Sequence, residues 1–476
     1  MTAVAALGEP RALKAAIPAD VRWLCQRLQG AGHRAWLVGG CVRDLLAHDL
    51  LHADASAPRP THADWDIATD ARPEQVQDVF PRVVPTGIQH GTVTVLVHGH
   101  GYEVTTLRGE TTYSDGRHPD SVHFVDDIVA DLARRDFTIN AIAYDPVDER
   151  LLDPFDGIGD LKRRILRAVG DPAERFAEDG LRVLRAARFV ATLEVDLDPA
   201  TERAISPSLA SYRKVSAERI RDEWMKSMKA RFPSRAFEVM KDHGLLAVTA
   251  PELLESVGCQ QNRHHAFDVW GHAMRCLDAC PGAPVLRVAG LLHDVGKPRS
   301  RAFSEKTNDY TFYEHERIGA EVTRPLLDRL RFSNDDRDRV VALVRHHLIC
   351  WEPSWSDAAV RRWLRRVGPE LLDDLYALNQ ADVLAKGRDA TDDLKRLEGL
   401  KAQVSRVVAE GAALALRDLA ISGRDLVQLG LRPGPLFGEI LKVLLDEVIE
   451  DPTKNEPEYL LGRASEIARN ASCATG

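Results

Sequence analysis

Short apolar runs dominate residues 35–145, and helical spacing takes over afterwards. AWLVGG (35–40) is continuously apolar and reads as a buried strand, and VRDLLAH (42–48) starts a helix. DWDIAT (64–69) reads as a second strand, and TVTVLVH with YEVTTLR as a strand pair joined by HGHG (98–101). The Ala/Pro/His-rich stretch LHADASAPRPTHA (51–63) and GETTYSDGRHPD (109–120) read as loops. From about residue 172, FAEDGLRVLRAARFVATL, SAERIRDEWMKSMKA and SRAFEVMKDHGLL carry apolar residues at helical spacing. A turn-rich junction near 250–268 leads to a His-rich helical region, then to an α-helical tail broken by GLRPGP (430–435). The pattern predicts a multidomain α+β protein without internal repeats. An N-terminal helical segment (1–34) precedes a small mixed β-sheet domain (35–150). A helical neck (151–250), a His-rich helical domain (262–390) and the tail (391–476) follow.

A chain of 476 residues exceeds a single core, which agrees with that division. The seven cysteines are odd in number and scattered, and Cys276 and Cys280 lack zinc-site spacing, so all read as reduced thiols of a cytoplasmic protein. The N-terminus, broken by charge and proline, shows no signal peptide, and no apolar run approaches the roughly 18 residues that span a membrane. A net charge of -9 argues against a protein that coats nucleic acid. Residues 161–235, however, hold 17 Lys/Arg against 11 Asp/Glu, which fits either a localised RNA contact or a solvated helical face.

In a strand, Asp64 and Asp66 project to one face and repel unless a cation sits between them. Mg²⁺ accepts a few carboxylates plus phosphate oxygens, and Glu103 on a neighbouring strand is the candidate third acid. The spacing alone decides nothing: Asp196/Asp198 and Asp336/Asp338 repeat it in a chain with 44 Asp. Upstream, LVGGCVRDLL (37–46) sets two glycines between strand and helix, where backbone approaches phosphate, and Arg43 adds a charged fork. A plain strand-to-helix turn has the same appearance.

LVGGCVRDLL, DWDIATD, TGIQHGTVTV, YEVTTLR, ARRDFTINAIAYD and DPFDG occur in that order, followed by AEDGLRVLRAARF and AERIRDEW. Over residues 36 to about 235 this series resembles the catalytic core of bacterial class II CCA-adding tRNA nucleotidyltransferases, whose relatives are the bacterial poly(A) polymerases. The resemblance implies that 35–150 is a catalytic palm and 151–250 a base-reading, RNA-binding neck. It implies that Gly40 and Arg43 contact the incoming triphosphate and that Asp64 and Asp66 bind Mg²⁺. Arg135 would contact the nucleotide, with Asp136 and Asn140 near the ribose. Asp179 and Arg182 would read the base, with Arg185 and Arg188 close to the phosphates.

The base-reading role also follows from hydrogen-bond chemistry. Asp179 and Arg182, three apart on a predicted helix, share a face; a carboxylate only accepts and a guanidinium only donates. Cytosine and adenine both offer an amino donor beside a ring-nitrogen acceptor, whereas uracil and guanine would leave buried polar groups unpaired. An ordinary helix ion pair has the same spacing. The implied reaction is attack by a tRNA 3′-hydroxyl on CTP or ATP without a template, releasing pyrophosphate. The loop TTYSDGRHPDSVHF (111–124) has the length of full CCA-adding members, and the basic G-R-R-F-like stretch of poly(A) polymerases is missing. An A-adding enzyme or a poly(A) polymerase are the alternatives within the family.

A second constellation begins at VLRVAGLLHDVGKP (285–298), an apolar helix ending in His293–Asp294. His272 precedes it; His315, His346 and His347, and Asp382 follow on successive predicted helices, offering mixed nitrogen and oxygen ligands. The set resembles the HD phosphohydrolase domain. That resemblance implies a divalent metal held by His272, His293, Asp294 and Asp382, with His315 and His346 as second-metal or phosphate contacts. A helical scaffold that only holds RNA, and an RNA-end-processing phosphohydrolase whose nucleotidyl site is idle, are the competing readings.

Overall fold

The structure, a computed structural model, describes residues 13, 16–51, 64–109, 123–411 and 413–474. The expected loop 51–63 falls outside them except for Leu51, as do most of the 111–124 loop and residues 1–12 of the N-terminal segment. The chain forms two compact units, Met1–Pro251 and Glu252–Gly476.

In the first unit, α1 (Ala19–Gly30) leads into β1 (Ala35–Val38), α2 (Gly40–Leu51) and β2 (Asp66–Thr69). The strands β3 (Val83–Gly87), β4 (Thr92–Val97), β5 (His100–Thr106), β6 (Ala143–Asp145) and β7 (Arg150–Leu152) complete a seven-stranded mixed sheet. Its order is β3-β4-β5-β2-β1-β6-β7. All four residues of β1 are buried, as its continuous apolar run requires of a central strand. β2 runs antiparallel to β1 and parallel to β5, which sets Asp66 opposite Val38 on one side and Glu103 on the other. Trp36, Val38, Ala68 and Leu107 pack with Ile128 and Leu132 of α3 (Ile128–Ala133), so one sheet face is closed by a helix. β4 and β5 form the expected pair, turned at His98 and Gly99, both with positive φ, as a two-residue hairpin turn demands.

The stretch read as one helix over 176–193 is two. α4 (Pro172–Glu178) ends at Asp179, whose backbone is extended, and α5 (Leu181–Thr192) restarts after Gly180. A Cβ on Gly180 would lie 2.3 Å from the Ser211 carbonyl carbon and oxygen, so the break is held by close backbone packing. Asp179 and Arg182 therefore do not share one helical face, which corrects the spacing argument. α6 (Ala217–Ser227) packs along α5 with Trp224 fully buried.

The second unit is helical: α7 (Val269–Ala279), α8 (Pro284–Leu292), α9 (His315–Arg329), α10 (Asn334–His346) and α11 (Leu372–Ala385). α7 packs on α8 and α11, and α10 on α8 and α9. A hairpin unforeseen in the sequence, β8 (Ala302–Ser304) with β9 (Asp309–Thr311), interrupts the helices. In the tail, Pro435–Glu450 and Pro457–Ala474 build an apolar cluster around Leu444 and Leu460. Cys25, Cys41, Cys259, Cys276, Cys280 and Cys350 are free. No helix among the described residues is long and apolar enough to cross a membrane.

Replacing Gly180 with Ala should cost about 1–3 kcal/mol, the usual range for forced overpacking. Urea unfolding checks this; a loss near zero would mean that the Ser211 backbone yields freely.

Candidate functional site

The first candidate site lies at one end of the central strands of the sheet. Asp64 precedes β2 and is exposed, Trp65 is buried and Asp66 is exposed, so the two-residue alternation holds although only Asp66 is in the strand. Partial desolvation by the surrounding protein and mutual repulsion raise the Asp66 and Glu103 carboxyls above their usual values. Arg135 opposes the rise at Asp66, and the charges of Asp66 and Asp64 add to it at Glu103. Among the described residues none of the three acids has a hydrogen bond or ion pair that neutralises it. The other two D-x-D pairs are spent on structure: Asp198 caps the helix Pro199–Ile205 and Asp196 binds Arg235, while Asp338 is paired with Arg324 and Arg337.

The three carboxylates do not draw their oxygens into a tight cluster; such convergence within 4.8 Å occurs, among the described residues, in the second unit only. An open carboxylate set still fits Mg²⁺, which keeps waters and substrate phosphates among its ligands. Of the two glycines, Gly39 carries the positive φ (78°), and a Cβ there would stand 3.3 Å from both Asp66 Oδ2 and Arg135 Nη1. Gly40, the first residue of α2, has only an ordinary 3.5 Å neighbour in Arg43 Nη2. The constrained position is therefore Gly39.

Behind the acids runs a connected set of polar side chains. Arg43 Nη1 donates to Asn140 Oδ1 (2.7 Å), and Asn140 Nδ2 donates to Asp136 Oδ1 (2.9 Å). Arg185 Nε donates to Asp136 Oδ2 (2.7 Å), and Arg188 Nε to Glu223 Oε2 (2.5 Å). Burial alone would raise Asp136, but Arg185 and the Asn140 hydrogen bond hold it down to about 2. Glu223 is likewise kept low against burial by Arg188, Arg185 and Lys226. Arg43, Arg185 and Arg188 also surround the Phe189 ring, at 5.1, 5.3 and 3.8 Å from its centre. Arg135 leans on Asp131 (3.2 Å), itself buried and ion-paired to Arg134.

Asp179 and Arg182 do not pair with each other. Asp179 Oδ2 accepts from Arg219 (2.7 Å) and its Oδ1 from the Leu181 amide (2.9 Å). Arg182 donates to Glu178 Oε2 (2.5 Å) and to the carbonyls of Arg175 (2.8 Å) and Arg134 (3.0 Å). Three of the five guanidinium N–H groups are thus engaged.

The second candidate site gathers imidazoles and carboxylates from five helices or their ends. His272 on α7, His293 and Asp294 at the end of α8, and Asp382 on α11 meet: His272 Nε2 is 2.9 Å from Asp382 Oδ1 and 3.1 Å from His293 Nε2, and His293 Nε2 is 3.1 Å from Asp294 Oδ2. Asp294 turns its other oxygen to His315 (3.5 Å) and His347 (3.7 Å). Two ligand triples, His272–His293–Asp294 and Asp294–His315–His347, therefore share one carboxylate. His347 takes the place expected for His346, because one residue along α10 rotates the side chain by about 100°. His346 is drawn down by burial and by Arg366 and Arg345, away from the cluster. Burial disfavours charge on His293, yet Asp294 and Asp382 beside it raise it to about 9. Burial and the charges of His293 and His315 push His347 down to about 3. Nitrogen and carboxylate donors around a bridging acid fit a pair of divalent metals.

The profile of the Poly A polymerase head domain matches residues 35–167, that of the probable RNA and SrmB-binding site of polymerase A residues 194–256, and that of the HD domain residues 263–387. The CCA-adding enzyme of Limosilactobacillus fermentum is 33% identical, covering 95% of this chain and 98% of that protein. The chain belongs to the CCA-adding enzymes. A second member of the family, from Lactobacillus delbrueckii subsp. bulgaricus, is 47% identical over 90% of this chain and 93% of its own. The crystal structure of the Bacillus stearothermophilus CCA-adding enzyme in complex with CTP matches with a TM-score of 0.70 at 28% identity, covering 98% of this chain and 100% of that one.

Sequence reasoning missed Phe189, Arg219, Glu223 and His265 as members of these sites, and gave Gly39 and His347 no role of their own beside Gly40 and His346. Arg219 and Glu223 stand in AERIRDEW, one helical turn apart, and that spacing was the available signal. His265, stacked edge-on to His272 at 5.0 Å, lies in a turn where no periodicity marks it.

Raised carboxyl values mean that the folded metal-free protein binds protons more tightly at Asp66 and Glu103 than the unfolded chain does. Their contribution to stability is therefore full below about pH 3.8, the unperturbed Asp value, and is lost as pH rises through the raised values. Asp66→Asn should accordingly raise the Tm of metal-free protein near neutral pH, and the difference should vanish below that value. Thermal unfolding at the two pH values, with chelator present, checks it.

Proposed function

We propose that the head-domain site adds the 3′-terminal CCA of tRNA from CTP and ATP, with the roles that follow. The 3′-hydroxyl oxygen attacks the α-phosphorus; the new P–O bond forms as the bond to the β-phosphate oxygen breaks, and pyrophosphate leaves while the hydroxyl proton is lost. Asp64 and Asp66 would hold magnesium, which would supply charge neutralisation for the triphosphate and a lowered hydroxyl pKa. Glu103 adds negative potential at the same strand edge. The Gly39–Gly40 turn brings backbone N–H groups to the phosphates, and Arg43, Arg135, Arg185 and Arg188 complement their charge. Asp136, Asn140, Phe189 and Glu223 position Arg43, Arg185 and Arg188, and Asp131 holds Arg135. Asp179 and Arg182 read the base with the acceptor sites and the two N–H groups that their present partners leave over, accepting from the amino group and donating to the ring nitrogen.

The observation that carries this reading is the open carboxylate set of Asp64, Asp66 and Glu103 beside the Gly39 turn, backed by the arginine cluster. Support for the substrates comes from relatives: two CCA-adding enzymes above 30% identity over nearly all of the chain, and a homologous structure solved with CTP.

A second reading applies to the HD site, where His272, His293, Asp294, Asp382, His315 and His347 would hold a divalent metal pair that supplies an activated water. We propose that it hydrolyses phosphate esters at RNA ends: water's oxygen bonds to phosphorus, the P–O bond to the ribose breaks, and the ribose oxygen takes a proton. The shared Asp294, facing a cavity of about 330 Å³, supports this reading.

With tRNA lacking its last three nucleotides, CTP alone should add two residues, and CTP with ATP should complete CCA. Incorporation of UTP or GTP, or long A-tails, would sink the assignment. Asp64→Ala should lower addition by more than about a hundredfold, beyond the usual cost of an outer-shell change at a metal site, while leaving phosphohydrolysis intact. Asp294→Ala should do the reverse; loss of both activities in either variant would contradict two independent sites.

A further inference from the structure

The sheet continues past the acids of the head-domain site. β2, β5, β4 and β3 lie in that order, and Asp66, Glu103, Thr94 and Val84 are register partners across them, so all four share one face. Thr105 and Thr92 form the next row of that face, and Gly101 and Leu96 the row before. The opposite face buries Val93, Val95, Tyr102 and Val104. α3 packs on the acid-bearing face at Trp36, Val38 and Ala68, which belong to β1 and β2. Over β3–β5 the same face is accessible. Val84 and Leu96 are each 40% exposed, Thr86 and Glu103 are exposed, and Thr92, Thr94 and Thr105 are half-buried.

The polar groups beyond Glu103 are neutral and paired with one another. Thr86 Oγ1 and Thr94 Oγ1 stand 2.8 Å apart, and Thr92 Oγ1 and Thr105 Oγ1 3.0 Å. A hydroxyl carries one donor and two acceptor sites, so each pair still offers a hydrogen and lone pairs to a ligand. The positions just named carry no basic side chain. The cations stand on the other side of the acids. Gly39 follows β1, the neighbour of β2 away from β5, and a Cβ there would lie 3.3 Å from Asp66 Oδ2 and Arg135 Nη1. Arg43 follows on α2. An in-line displacement puts the attacking oxygen and the leaving pyrophosphate on opposite sides of the phosphorus. With the triphosphate drawn to the glycine turn and its arginines, the attacking hydroxyl comes in from the β5 side. The strand that carries it then lies over Glu103 and the threonines.

We infer that the β3–β4–β5 face seats the 3′ end of the acceptor RNA. The hydroxyl pairs Thr86–Thr94 and Thr92–Thr105 bond its sugar hydroxyls and phosphate oxygens, and Val84 and Leu96 support its apolar surface. This rests on the nucleotidyltransfer reading of the head-domain site, and it adds residues that touch the acceptor strand rather than the incoming nucleotide. A neutral seat has a physical reason. Arginines here would draw the triphosphate to the wrong side of the acids. Hydroxyls, by contrast, turn between donor and acceptor as the strand shifts by one residue after each addition.

Full-length protein with Mg²⁺ is assayed on tRNA lacking its last three nucleotides, with CTP and ATP. Thr94→Val keeps the shape of the residue and removes its hydroxyl. It should lower kcat/KM for the tRNA by about fivefold, the scale of one lost hydrogen bond, with the KM for CTP held. Thr94→Ser should restore the tRNA value, and CTP affinity by titration calorimetry should match wild type in both variants. An unchanged kcat/KM for tRNA in Thr94→Val, or an equal loss of CTP affinity, would overturn the inference. The loss should recur on tRNAs already ending in C and in CC; confinement to one of these ends would overturn a seat shared by every step. A tRNA carrying 4-thiouridine as its final residue locates the strand directly. Its ultraviolet cross-links should fall within residues 83–106, and cross-links confined to other segments would contradict the seat. Should wild-type protein add nothing to any of these tRNAs, the nucleotidyltransfer reading itself fails.

Discussion

A buried carboxylate that must stay charged organises the first unit. Asp136 is nearly inaccessible, and an unpaired charge there would cost several kcal/mol. Its two oxygens are therefore met by Asn140, the Phe137 amide and Arg185, which join the sheet domain to the helix Leu181–Thr192. Asn140 carries the connection on to Arg43, at the start of the helix that follows the first strand. One ion thereby sets the distance between the glycine turn and the arginine-rich helix, the two elements that would hold a triphosphate between them. Glu223 repeats the device one layer further out for Arg185 and Arg188. These are positioning charges whose burial keeps them in one arrangement.

The two candidate sites solve opposite electrostatic problems. At the end of the central strands, three carboxylates stand apart with no hydrogen-bonded or ion-paired partner among the described residues; desolvation and mutual repulsion, opposed at Asp66 by Arg135, raise Asp66 and Glu103, a rise that a cation and a triphosphate would relieve. In the HD cluster, Asp294 and Asp382 are already neutralised by imidazoles and Lys297 at close range. The first arrangement suits a hard ion that retains oxygen ligands from substrate, and the second suits metals that accept nitrogen. A single chain can hold both because each draws its ligands from its own compact unit.

Local pattern was legible where one period decides the outcome. The strand alternation around Trp65, the hairpin at His98–Gly99 and the buried run Ala35–Val38 were all readable, since a strand exposes its register within four residues. The 176–193 stretch misled because its apolar spacing continues across a break imposed by a backbone contact with Ser211, 31 residues on. The β8–β9 hairpin was missed because its strands are three residues each and exposed to partly buried, so no apolar alternation marks them.

By itself, the sequence determined the order of the motifs, the strand parity of Asp64 and Asp66, and the residue types able to ligate metal in the HD region. These depend on neighbours a few positions away and on side-chain chemistry. Tertiary structure alone decided which of two adjacent histidines enters the cluster, which glycine of the pair takes the left-handed backbone, and that Asp179 answers to Arg219 while Arg182 answers to Glu178. The choice of histidine turns on a rotation of about 100° along a helix, and the partner of Asp179 on a residue 40 positions along the chain. Asp64–Trp65–Asp66 differs from its two D-x-D twins for the same reason. Asp196, Asp198 and Asp338 were given basic or backbone partners by the fold, and the end of the central strands leaves the first pair open among the described residues.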